Sequence, residues 1–165
     1  MIDVLAVWSL ITVVFCAAVA YFDIRFRRIP NRLLVSMLAV CLVCFLYVDV
    51  IGKADSGLTI YWSSAFTGFT VGLAFFFPFW RLGLVGAGDV KLLAVLGFMC
   101  GLHGLWQLVL IGCLLAGVHS CMLVLVRGRA VLGLWSEDKT SRIGVPLGAH
   151  LALATLLWMF WLKNN

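Results

Sequence analysis

The sequence predicts an all-α integral membrane protein with six transmembrane helices and both termini outside the cytoplasm. Three observations carry this prediction. Of 165 residues, 64% are hydrophobic and 12% charged, and the mean hydropathy is +1.14, whereas a soluble domain has roughly half its residues apolar. The apolar residues lie in runs near the ~20-residue length that crosses hydrocarbon. The basic residues sort to one side once six runs are allowed to cross. A net charge of +5 would point to nucleic acid in a soluble protein; here it belongs to cytoplasmic loops, so no nucleic-acid partner is expected.

The runs fall at 4–22, 33–51, 60–80, 89–101, 104–126 and 145–162. The first, closed by Asp23, imitates a signal peptide with Ala18-Val19-Ala20 as its cleavage site. A signal peptide has a positive n-region, but the charge preceding this run is Asp3 and the arginines follow it, so the run is a retained span. Before the second run stand Pro30, which fixes the backbone, and Asn31, whose side chain can cap the helix. Inside it, Cys41 and Cys44 have C-x-x-C spacing without a second pair or a nearby His, so all six cysteines read as small apolar filler. Tyr61, Trp62 and Trp80 flank the third run as interfacial aromatics. The fourth run has the length at which a buried or re-entrant helix competes with a span. The fifth ends before the longest polar stretch, from Arg127 to Gly144. The sixth opens on Gly144-Val145-Pro146-Leu147-Gly148.

Counting the fourth run as a span puts Arg25, Arg27, Arg28, Arg32, Arg81, Lys91, Arg127, Arg129, Lys139 and Arg142 on one face, with Lys53 and Lys163 on the other. That asymmetry marks the cytoplasmic side. The whole chain, 1–165, then forms a single transmembrane domain.

Topology brings Asp23 and Asp89 to the same face. A carboxylate at the edge of hydrocarbon is costly and reads as functional by default. Each has a structural alternative. Asp89 could cap the helix it opens and complement the helix dipole. Asp23, at a helix C-terminus, opposes that dipole but could pair with Arg27 one turn on. The step Gly86-Ala87-Gly88 goes beyond what a cap needs, because glycines allow positive φ and close backbone approach. Two carboxylates held close share a proton. The ionised one can deprotonate water while the protonated one polarises a carbonyl, and the roles reverse as the amine leaves. This is aspartyl peptide hydrolysis, which requires no metal and no cofactor.

These residues resemble a known family. Asp23, then Arg28-Ile29-Pro30-Asn31, then Gly86-Ala87-Gly88-Asp89-Val90-Lys91, with Gly144-Val145-Pro146-Leu147-Gly148 opening the last run, are similar in order and spacing to the type IV prepilin peptidases, bacterial GxGD-type aspartyl proteases. The resemblance implies a peptidase of the bacterial inner membrane that removes the leader of prepilins or pseudopilins at the cytoplasmic face. It implies Asp23 and Asp89 as the catalytic pair, Gly86, Ala87 and Gly88 as active-site backbone, and Pro30, Asn31, Pro146 and Gly148 as loop-shaping residues. For Lys91 three readings stand: a counter-charge to the dyad, a contact to an acidic residue of the substrate, or a snorkelling interfacial lysine. Larger family members carry a cytoplasmic domain with paired C-x-x-C motifs and also N-methylate the product. Here the first loop has only about ten residues and no such pairs. The chain therefore resembles the short form of the Tad/Flp pili, without a methyltransferase domain.

Other readings remain to be separated. A presenilin-like intramembrane protease shares G-x-G-D, but this chain has no Tyr-Asp dipeptide, and Pro146-Leu147-Gly148 departs from Pro-Ala-Leu. A proton-coupled transporter would place carboxylates near the midplane between repeats, and no repeat is evident. A pilus-assembly subunit without catalysis would tolerate loss of either aspartate. His103 falls on the opposite face, while His119 and His150 read as helix-packing hydrogen-bond partners rather than metal ligands. The sequence leaves the oligomeric state open.

Overall fold

The computed structural model describes residues 4–51, 62–83, 85–131 and 146–164. Among them the regular structure is helical: α1 (Val4–Phe26), α2 (Asn31–Ile51), α3 (Trp62–Arg81), α4 (Ala87–Val131) and α5 (Leu147–Asn164). Three helices have segments long and apolar enough to cross a membrane, namely Ala6–Phe26, Trp62–Arg81 and Ala87–Leu123, and Asn31–Tyr47 and Leu147–Trp161 are shorter apolar segments.

Local chemistry sets the ends of these helices. α1 stops where Arg27 turns left-handed (φ 51), its N–H bonding the Asp23 carbonyl at 3.0 Å. Pro30 then starts α2, its carbonyl accepting the Leu33 N–H at 3.1 Å. α3 ends on a left-handed glycine, Gly83 (φ 74), whose N–H bonds the Trp80 carbonyl, a common helix stop.

α4 is broken at Gly101 (φ 70, ψ 179), a combination essentially confined to glycine. The chain folds back there. Leu105 Cδ2 lies 3.2 Å from where a Cβ on Gly97 would stand, whereas residues that far apart in a straight helix are separated by about 12 Å. The ring of Trp106, past the break, meets Phe75 of α3 with centroids 5.5 Å apart. The freed Leu102 N–H turns to Ser64 Oγ, 3.4 Å away on α3. The fourth and fifth apolar runs of the sequence are thus two helices, the first and second arms of α4, that meet at a single glycine rather than through a loop.

The first arm is the centre of the molecule. Leu92 through Phe98 are all buried, which explains a segment apolar on every side. α3 packs antiparallel along it through small residues: a Cβ on Gly68 would strike the Gly97 carbonyl, and one on Gly72 would come 2.7 Å from the Leu93 carbonyl. Such contacts replace the hydrophobic drive that lipid cannot supply. Phe45 of α2 stacks on Phe98 at 5.3 Å. Phe15 and Val19 of α1 and Leu151 and Ala154 of α5 join the same core. At the end away from Gly101, this packing gathers the C-terminus of α1 and the N-termini of α2, α4 and α5.

Candidate active site

Asp23 lies in the last turn of α1 and is only 7% exposed. Its Oδ2 accepts the backbone N–H of Ala149 at 2.8 Å. Ala149 is the third residue of α5, so its N–H is among those a helix start leaves without an internal partner. The carboxylate that opposes the dipole of α1 therefore complements that of α5, a helix beginning far downstream. Close approach depends on Gly148, where a Cβ would stand 3.0 Å from Asp23 Oδ2 and 3.0 Å from Ile29 Cδ1.

Asp89 is the third residue of α4. The Gly86 carbonyl accepts the N–H groups of Asp89 (3.1 Å) and Val90 (3.2 Å), which makes Gly86 the N-cap. The Asp89 carboxylate returns to the Gly86 N–H, the one half of a capping box that a glycine cap allows. It is half-buried and close enough to Asp23 for direct charge–charge interaction. Between the two helix starts lies Ile29, 9% exposed, its Cβ 3.6 Å from where a Cβ on Gly88 of α4 would stand and its Cδ1 3.0 Å from where one on Gly148 of α5 would stand. Two carboxylates thus converge where two helix N-termini point.

The glycine step works differently from the expectation. Among the described residues, positive-φ glycines are Gly83 and Gly101; Gly86 and Gly88 are not in that region because they are the cap and second residue of a right-handed helix. Gly86 instead leaves room for the Asp89 carboxylate, since a Cβ there would stand 3.0 Å from Oδ2. Ala87, the first residue of α4, is exposed. Asn31 also departs from its expected role. It is the first residue of α2, and its Oδ1 accepts a bond from Lys91 Nζ at 3.0 Å, so Lys91 ties α4 to α2 at the rim of the site. Pro30 immediately precedes α2, and the Pro146 carbonyl closes the first turn of α5 by accepting the His150 N–H at 3.3 Å.

The sequence reading missed two participants, the Ala149 N–H and the Ile29 spacer, while His119 Nδ1 and His150 Nε2 lie 3.1 Å apart as a helix-packing hydrogen bond. Neither missed participant has a local sequence signal beyond the Pro-x-Gly start of α5. His103 lies elsewhere, 3.4 Å from Gln107. Among the described residues no three His, Cys, Asp or Glu side chains are grouped to hold a metal ion.

The sequence profile of the type IV leader peptidase family matches residues 10–121. The chain belongs to this family. It is similar to the prepilin leader peptidase/N-methyltransferase of Xanthomonas campestris pv. campestris, with 28% identity over 154 residues, covering 89% of this chain and 47% of that relative. The chain thus spans about half the length of the curated relative it matches. No solved structure matches. For a type IV leader peptidase family member, the matched interval holds Asp23, Ile29, Gly86 and Asp89, whereas Gly148 and Ala149 of α5 lie beyond it.

Proposed function

We propose that this chain is a prepilin leader peptidase in which Asp23 and Asp89 form the catalytic dyad. The observation that carries this reading is the convergence of the two carboxylates at the starts of α4 and α5, each beside a backbone N–H. One carboxylate, ionised, removes a proton from water as the oxygen attacks the scissile carbonyl. The other, protonated, donates to that carbonyl oxygen. The tetrahedral intermediate collapses as the amine nitrogen takes a proton from the dyad, releasing leader acid and mature amine. The N–H groups of Ala149 and Gly86 fix the carboxylates without reorganisation during the reaction, as preorganised dipoles do.

In this reading the six helical segments all cross the inner membrane of a bacterium, the termini lie outside the cytoplasm, and cleavage occurs at the cytoplasmic face. The basic side chains Arg25, Arg28, Arg32 and Lys91, all exposed at the site end, support that orientation. Only Arg27 to Pro30 separate α1 from α2, leaving no room there for a cytoplasmic domain. We therefore assign peptidase activity without N-methylation and a Flp-type prepilin as substrate.

Co-expression with a Flp-type prepilin tests the assignment. The pilin is expected to shorten by its leader, and Asp23→Asn or Asp89→Asn to abolish the shift at normal enzyme levels. Full processing by either variant would sink the dyad.

A further inference from the structure

We propose that His150, oriented by His119, is a positioning residue for Asp23. The two histidines join the second arm of α4 to the first turn of α5, where the catalytic carboxylate is held. Under the peptidase reading, on which the kinetic part of this inference rests, they set the geometry of one half of the dyad.

For a neutral His150 ring the hydrogen-bond pattern gives the direction of the bonds. His150 Nδ1 lies 2.6 Å from the Pro146 carbonyl oxygen. That oxygen can only accept, so Nδ1 carries the proton. In the neutral ring Nε2 is then the acceptor, and the group 3.1 Å from it, His119 Nδ1, is the donor. The bonds therefore run from His119 to His150 to Pro146.

The side-chain bond dominates the first turn of α5. The backbone bond that closes the turn, His150 N–H to Pro146 carbonyl, is long at 3.3 Å, while the ring bond to the same oxygen is 2.6 Å. Within that clamped turn lie Gly148, pressed against the Asp23 carboxylate, and Ala149, whose N–H holds it at 2.8 Å. Releasing the clamp lets the turn open and moves the donor away from Asp23. The rings meet edge-on, with centroids 5.0 Å apart at 69°, so His119 also restricts the rotation of His150.

Two substitutions at each position isolate the bond from the ring. His150→Leu removes the Nδ1 donor; His150→Asn keeps a donor at the same place on the side chain. The same pair at His119 removes or keeps the donor to His150. Purified protein is measured for cleavage of a Flp-type prepilin and, independently, for amide hydrogen exchange at Ala149 and His150. We expect His150→Leu to lower kcat roughly tenfold to a hundredfold, as a misplaced catalytic group does, with KM within about twofold. Exchange at Ala149 and His150 should accelerate while α3 is unchanged, and His150→Asn should recover most of both. His119→Leu should show the same pattern more weakly. Unaltered exchange and kcat in His150→Leu would overturn the proposal, as would equal impairment of the Leu and Asn variants. If the wild-type protein cleaves no prepilin, the peptidase reading fails, and the exchange measurements still decide the clamp.

Discussion

Asp23, at the end of α1, holds the N–H of Ala149, a residue 126 positions further along the chain. The same carboxylate is thus both a helix cap and the proposed acid–base group, and substitutions can separate the two roles. Asparagine keeps an oxygen for the Ala149 N–H but cannot exchange protons, whereas alanine loses both.

Asp23→Asn is therefore expected to abolish processing while shifting stability by less than about 1 kcal/mol, and Asp23→Ala to abolish processing and lose about 1–2 kcal/mol, the usual range for a removed cap. Thermal unfolding in detergent, run beside the cleavage assay, makes the comparison. Equal melting of the two variants would show that the cap contributes nothing.

The glycines of the site should differ in tolerance, and the order follows from what a Cβ would meet. At Gly148 it presses on Asp23 Oδ2 and on Ile29, both at 3.0 Å, inside a buried contact. Gly148→Ala should cost about 1–3 kcal/mol as overpacking and lower activity roughly tenfold or more by moving the carboxylate. At Gly86 the Cβ meets only the end of the Asp89 side chain, so Gly86→Ala should be intermediate. At Gly88 it reaches Ile29 at an ordinary 3.6 Å, in a helical position where alanine gains up to about 1 kcal/mol over glycine. Gly88→Ala should fold and keep activity within about threefold, since an undisplaced dyad keeps its geometry. Processing assays on the three variants test the order, and a dead but stable Gly88→Ala would contradict it.

The helices were legible in the chain because each is an apolar run, and the runs at 89–101 and 104–126 even divide near Gly101. That the reversal rests on one residue was not legible, because one glycine with φ 70 and ψ 179 has the same sequence appearance as the glycines packed within helices, such as Gly97. Asp23 and Asp89 stood out because charge is rare in such runs. The partner of Asp23 was invisible, since a backbone N–H has no residue type to read. Asn31 shows the converse: its type fits a cap, yet a lysine from another helix claims the side chain.

Lys91 is expected to matter more for substrate than for the fold. Its bond to Asn31 is exposed, and such a contact contributes well under about 1 kcal/mol. Lys91→Met should leave thermal unfolding almost unchanged and raise KM several-fold, with kcat within about threefold, the pattern of a lost binding contact. A fall in kcat at constant KM would assign Lys91 to the dyad instead.

Gly101 should tolerate a side chain poorly for two separate reasons. Alanine there meets both a backbone region that side chains avoid and Ser64 Oγ at 2.5 Å, so Gly101→Ala is expected to lose at least about 2 kcal/mol. Ser64→Gly would relieve only the second problem and should restore stability only in part. The reversal at Gly101 also has a topological consequence. Two arms returning on each other put residue 103 at the end of the bundle opposite residues 25 and 91, whatever lipid surrounds them. In a cysteine-free background, single cysteines at Arg25 and Lys91 should react with an impermeant reagent only from the cytoplasmic side. One at His103, exposed beside the break, should react only from the other side. Labelling of 91 and 103 from one side would mean that the first arm of α4 does not cross, and with it the proposed six spans would fail.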